Sequence, residues 1–222
     1  MRTFSYFRRE WYKLWQLNGF YVLAIDYRGY GDSSGISQIT ETSLVHDAMS
    51  AFVWLQKSIH PESQIMVWGH SLGTGVACRL GWNLKVCDKR PVGYILEAPF
   101  DSMHSVISQL GETGSGMFGF TMGTLSKFLN YIFDTKEMLE KRDLIFDSEK
   151  SLSEVKEKVI ILHAKDDSVV PFQLGAKLYK NMVEKSKDID IFSFDEEHAL
   201  GHDDIYKYKE IDNIIKDISK MK

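Results

Sequence analysis

A single serine stands between two glycines where a strand-like run, Met66-Val67-Trp68, gives way to a helix-like one. The segment Gly69-His70-Ser71-Leu72-Gly73 fits the pattern G-x-S-x-G. In that pattern a sharp turn lifts the serine hydroxyl above the sheet, and glycines relieve the crowding of the backbone. The amide of Leu72, at the start of the helix, would then point at an oxyanion. The pattern predicts that Ser71 attacks a carbonyl carbon.

A serine hydroxyl becomes a good nucleophile only when a base removes its proton, so an acid and a histidine should follow in the chain. Asp166 and Asp167 directly follow the apolar run 159–162, at the end of a strand where α/β sheets carry their sites. Asp167 is preferred because the acid of such a site commonly stands two residues before a Val-Val-Pro turn. Asp166 is then a turn or cap residue, and Asp101, after an earlier strand, stays an alternative.

Seven histidines compete for the role of base. Five of them are set aside. His46 and His60 precede the serine, and His70 lies in its turn. His104 falls in a long segment without strands, and His163 sits too close to the acid. His198 and His202 remain, in the loop between the last strand-like run and the last helix. His202 is preferred because it follows Gly201 and stands just before that helix.

Strand-like and helix-like segments alternate along the chain, which favours an α/β fold with a mostly parallel, doubly wound sheet. The predicted strands are short, mostly continuous apolar runs, typical of strands buried on both faces: 20–25, 64–68, 92–96, 159–162 and 189–194. The predicted helices show apolar spacing near 3.6 and include 4–17, 44–55, 174–183 and 205–218. The length of 222 residues predicts one domain over 1–222.

The stretch 100–151 breaks the alternation, because it contains no strand pattern. A segment this long inside a domain is usually a functional lid or a disordered insertion, so we predict a cap over 100–151. Its glycine-rich middle carries Met117, Phe118 and Phe120, which we expect to contact an apolar substrate together with His70. These side chains could equally pack the cap onto the core, and the two interpretations are compatible.

Composition narrows the remaining function classes. The net charge is −4 and the pI is about 6.0, with no basic stripe, so nucleic acid is not an expected partner. Two cysteines, Cys78 and Cys87, are too few for a disulfide framework. No apolar run has the length of a membrane span or the form of a signal peptide, so the chain is expected to be soluble. No His-x-x-x-His pair or complete dinucleotide motif occurs, so neither a metal nor a cofactor is predicted.

Four motifs in order together resemble the family of α/β-hydrolase domain-containing protein 12: 26–33, 68–77, 96–100 and 161–175. The resemblance runs from about Gly19 to Tyr208, apart from the cap. It implies an α/β-hydrolase fold with Ser71, Asp167 and His202 as nucleophile, acid and base. The implied substrates are lipid esters, lysophosphatidylserine and other lysophospholipids first and monoacylglycerols second. The implied location is the endoplasmic reticulum membrane.

This sequence departs from the family pattern in two places. Nothing matches the family's His-Gly-Asn-Ala-Gly loop, its first strands or its membrane anchor, which predicts either an impaired fragment or part of a longer chain. The spacing between Gly201 and His202 is also shorter. The missing loop leaves a catalytically inactive scaffold open as a second function. An acyl-protein thioesterase is a third, because neighbouring hydrolase branches share the Asp-Tyr-x-Gly-x-Gly motif of residues 26–31.

Overall fold

Four parallel strands form the centre of the molecule. The computed structural model describes residues 8–34, 39–86, 90–113 and 136–220. Within them, strands β1 to β4 lie side by side in chain order and span Met66–His70, Gly93–Glu97, Lys158–Ala164 and Ile189–Phe194. Because all four run the same way, their carboxyl ends meet at one edge of the sheet. The predicted parallel α/β sheet is confirmed for these four strands.

Helices flank this sheet in the described part of the chain. Helices α1 to α8 span Arg9–Leu17, Glu41–Ser58, Leu72–Leu84, Met103–Thr113, Lys136–Lys141, Ser148–Leu152, Phe172–Glu184 and Ile211–Ile218. Short 3₁₀ turns occupy Glu196–His198 and Ile205–Lys207. The start of α2 shows how local sequence sets a boundary. Thr40 and Ser43 form a capping box, in which each side chain accepts from the backbone amide of the other.

The sheet is buried on both faces, which explains why its strands read as continuous apolar runs. Alternate residues of the central strands face opposite ways: Ile95 and Ile160 pack with α1 and α8, whereas Tyr94 and Ile161 pack with α6 and α7. Cys78 on α3 lies in the second of these layers with a free thiol, and burial raises its pKa to about 12.

The predicted strand 20–25 is wrong, although residues 20–23 alternate as they would in a strand. Phe20 and Val22 pack into the core, while Tyr21 and Leu23 are exposed. A strand also needs a neighbour that accepts and donates backbone hydrogen bonds. Among the described residues β1 pairs only with β2, and no ladder reaches 20–25. Residues 20–23 therefore show the side-chain pattern of a strand, but no other described segment pairs with them.

The described parts of 100–151 contain helices α4, α5 and α6 and no strand, as the sequence predicts. The end of this segment belongs to the core, because Phe146 and Ser151 are buried, as is the adjoining Leu152. Met117, Phe118 and Phe120 lie outside the described residues, so their contact with a substrate stays a prediction. The boundaries of the cap, and the single domain over 1–222, likewise stay predictions.

Candidate active site

The turn between β1 and α3 holds Ser71 in a conformation that side-chain-bearing residues rarely adopt. Its φ is +52°, a left-handed value that costs roughly 1 to 3 kcal/mol. Its amide donates to the Glu97 carbonyl at 2.9 Å, which ties the turn to β2. Its hydroxyl does not cap α3, although Ser71 occupies the cap position. The strained turn therefore leaves the Ser71 hydroxyl without a capping hydrogen bond to α3.

The two glycines of the motif are not equivalent. A Cβ on Gly69 would lie 2.3 Å from the Gly73 carbonyl oxygen and 2.8 Å from the Thr74 nitrogen, both backbone atoms. A Cβ on Gly73 would meet nothing within 4 Å. The expectation that crowding requires both glycines is therefore wrong for Gly73. Gly69 alone is required for the close approach of strand and helix.

Asp167 lies at the end of β3 as a buried, fully bonded carboxylate. Its Oδ1 accepts from the amides of Val169 and Val170, each at 2.8 Å. Its Oδ2 lies 2.8 Å from His202 Nδ1 and 3.5 Å from His163 Nε2. Burial favours the neutral acid, but the hydrogen bonds from His163 and His202 outweigh it and hold the pKa of Asp167 below its usual range.

The contact between Asp167 and His202 determines which nitrogen of the imidazole is free. An ionised carboxylate only accepts hydrogen bonds, so Nδ1 of His202 is the donor. In the neutral ring Nε2 then carries the lone pair, which is the form that a general base needs. Ser71 and His202 make no hydrogen bond to each other among the described residues. Such bonds often tighten only when substrate binds.

The competing candidates have other partners. Asp166 Oδ2 accepts from the amide of Gly201 at 2.9 Å, so Asp166 holds the loop that carries His202. Asp101 pairs with Lys177 at 2.7 Å, and its contacts do not include His202. His198 is exposed and packs edge-on against Tyr208.

His70 and Leu72 flank the serine, as the motif requires. His70 Nε2 lies 2.9 Å from the carbonyl oxygen of His202, and the two rings are 4.6 Å apart. Burial, followed by the charges of Arg8 and His202, holds the pKa of His70 well below its usual value. Leu72 is the first residue of α3, where backbone amides have no acceptor within the helix. The turn that carries Ser71 and the loop that carries His202 are therefore adjacent.

Sequence reasoning missed an ion pair beneath these loops. Glu97, at the end of β2, is buried and pairs with Arg8 in front of α1, while Trp11 donates to it at 3.2 Å. Arg8 also donates to the Asp203 carbonyl at 3.4 Å. Burial raises the pKa of Glu97 to about 7, against the opposing effect of Arg8. An acid inside the apolar run 94–100 was the available signal, because buried carboxylates need partners.

Known proteins similar to this chain have the same α/β architecture. A family model described as serine aminopeptidase, S33 (Hydrolase_4), matches residues 8–144. The fold of an α/β-hydrolase from Vibrio vulnificus superposes with a TM-score of 0.67 at 21% identity, over 96% of this chain and 69% of that one. The α/β-hydrolase fold is confirmed. Among the described residues no helix is both long and apolar enough to cross a membrane.

Curated relatives narrow the family further. Lysophosphatidylserine lipase ABHD12 of Danio rerio is 35% identical over 217 residues, which are 95% of this chain and 53% of the relative. The Bos taurus protein of the same name is 32% identical, over 95% of this chain and 51% of the relative. The chain thus spans about half the length of these relatives. It is similar to these ABHD12 proteins, and it belongs to the serine aminopeptidase S33 family of α/β-hydrolases.

Proposed function

We propose that this chain hydrolyses carboxylic esters of lipids through an acyl-enzyme on Ser71. The observation that carries the proposal is the 2.8 Å hydrogen bond between Asp167 and His202, in a loop that contacts the residue before Ser71. The strained serine turn and the names of the relatives, lysophosphatidylserine lipases, support it.

Each step of the reaction has a residue to perform it. Ser71 Oγ attacks the ester carbonyl as His202 Nε2 takes its proton, and the Leu72 amide stabilises the oxyanion. His202 then gives the proton to the departing alcohol, which leaves Ser71 acylated. A water molecule, deprotonated by the same nitrogen, releases the fatty acid. Asp167 holds the ring in the required tautomer and stabilises its positive charge.

The proposed substrates are lysophospholipids, with lysophosphatidylserine first and monoacylglycerols second, as the names of the relatives suggest. His70 would line the entrance beside Ser71, and Met117, Phe118 and Phe120 would contact the acyl chain. The proposed site of action is a membrane surface that presents the lipid, in the endoplasmic reticulum. The chemistry written above uses no metal or cofactor.

A substrate panel tests this proposal. The purified chain would be assayed with lysophosphatidylserine, a monoacylglycerol, a palmitoyl-cysteine peptide and an aminoacyl p-nitroanilide, each beside Ser71→Ala. The proposal expects Ser71-dependent release of fatty acid from the two lipid esters. Faster release from the palmitoyl peptide would indicate a thioesterase, and cleavage of the anilide alone would indicate an aminopeptidase. A folded chain that cleaves none of them would contradict the proposal.

A further inference from the structure

The buried ring of His163 has no task in the reaction as written above. It lies on β3, near the end of the strand and just before Asp167, and its side chain is fully buried. Pairing with β4 fixes the backbone of β3 at this point, where His163 stands opposite Ser193. The ring therefore projects from a fixed part of the sheet, next to the loop that carries the proposed catalytic acid.

A hydrogen bond joins this ring to the loop that holds Asp167. His163 Nε2 lies 2.9 Å from the Val170 carbonyl oxygen, which only accepts, so Nε2 carries the proton. The Val170 amide in turn donates to Asp167 Oδ1 at 2.8 Å. His163 Nε2 is also 3.5 Å from Asp167 Oδ2, so the carboxylate is a second and weaker acceptor. The ring is therefore bonded to the same residue whose amide orients the carboxylate.

Close packing restricts the orientation of the His163 ring. Phe172 meets it edge-on, with the ring centroids 5.4 Å apart. A Cβ on Gly175 would lie 2.3 Å from His163 Nδ1, so glycine is required where α7 approaches the ring. Nδ1 has no hydrogen-bond partner among the described residues. A buried polar atom without a partner costs stability, so packing alone would favour an apolar side chain at this position.

We propose that His163 is a positioning residue for the catalytic acid, and that its bond to the Val170 carbonyl keeps Asp167 Oδ2 directed at His202 Nδ1. Without this bond the loop would shift, and His202 would lose the partner that selects its tautomer. Part of the His202 population would then carry the proton on Nε2, where the ring cannot accept the proton of Ser71. The effect on catalysis rests on the proposed function, whereas the effect on the tautomer of His202 does not.

Nitrogen NMR of the histidine rings tests this role without an assay of activity. The whole chain, labelled with ¹⁵N, would be recorded at alkaline pH, where the rings are neutral. His163→Leu removes the donor, and His163→Gln keeps a side-chain N–H. The His202 signals are those that disappear in His202→Gln. We expect the Nδ1–H form of His202 in the unmodified chain and in His163→Gln, and a mixture of both neutral forms in His163→Leu.

Two further variants complete the comparison. His46→Leu is the control, because His46 is an exposed histidine of α2, and it should match the unmodified chain. If His163→Leu does not fold, Gly175→Ala replaces it. The added Cβ would displace the ring without removing its donor, so we expect the same mixture of His202 tautomers.

Ester hydrolysis supplies the second readout. His163→Leu should lower kcat by about tenfold to a hundredfold and leave KM unchanged, because alignment is lost and substrate binding is not. His163→Gln should restore most of the lost rate. A role in packing alone predicts the opposite ranking, since leucine fills the space without burying a polar atom.

The two readouts together decide the proposal. A folded leucine variant with the tautomer and the rate of the unmodified chain would overturn it, as would equal losses in the leucine and glutamine variants. If the unmodified chain folds but hydrolyses nothing, the proposed function fails, and the tautomer of His202 still decides whether His163 positions the acid.

Discussion

The serine turn depends on a close approach between residue 69 and the first turn of α3. Gly69→Ala should destabilise the fold by about 3 kcal/mol, because its Cβ would lie 2.3 Å from a backbone oxygen that cannot move aside alone. Gly73→Ala should be neutral or stabilising by up to about 1 kcal/mol, since the site is open and alanine favours helix. Urea unfolding of both variants measures the difference. Equal stability of the two would contradict this account of the turn.

The neighbouring aspartates at the end of β3 should differ sharply in their effect on catalysis. Asp167→Asn should lower kcat by about 10⁴-fold, because an asparagine can stabilise the wrong tautomer of His202. Asp166→Asn should lower it by at most about a hundredfold, because it only weakens the bond that holds Gly201. Steady-state kinetics on one ester would separate them. A larger loss in the Asp166 variant would reverse the assignment.

The candidate triad could be predicted from sequence because each member follows a recognisable strand and the order is Ser, acid, His. Local sequence could not show the Arg8–Glu97 pair, since 89 residues separate its members and no motif links them. The contact of His70 Nε2 with Asp203 Oδ1, 3.7 Å apart, could not be predicted for the same reason. Contacts of this kind arise only when the sheet brings strand ends together.

Among the elements, helix α1 is fixed to the sheet through a charge at its start. Above about pH 7, where Glu97 is ionised, Arg8→Gln should destabilise the fold by about 3 kcal/mol or more, because it leaves the Glu97 carboxylate buried without its cation. Arg9→Gln is the control, because the Arg9 side chain is 54% exposed and a surface ion pair contributes little. Thermal unfolding of the two variants tests this. Similar melting temperatures would show that the buried pair does not hold α1.

The segment 20–25 shows that strand pairing could not be predicted from local sequence. Its composition is that of a strand, and residues 20–23 do alternate between core and solvent. Pairing, however, is a property of two segments, and propensity describes only one. The correctly predicted strands are those that pair with a neighbouring strand in the described sheet.

For the molecule as a whole, Glu97 should make stability depend on pH. Its pKa is raised to about 7 in the fold, so the folded state binds more protons than the unfolded state between about pH 4.5 and 7. Stability from this group is therefore present at low pH and falls as pH rises through that range, by at most ~3 kcal/mol. Glu97→Gln should flatten this slope in urea unfolding at several pH values. An unchanged slope would contradict the assignment to Glu97.

We expect the fold to activate one serine hydroxyl, that of Ser71. Fluorophosphonate labelling of the folded chain is the test, beside Ser71→Ala and the control Ser58→Ala, whose exposed serine hydroxyl donates to the Trp54 carbonyl. We expect one label per chain, kept in the Ser58 variant and absent from the Ser71 variant. Labelling that persists in Ser71→Ala, or a folded chain that takes no label, would contradict it.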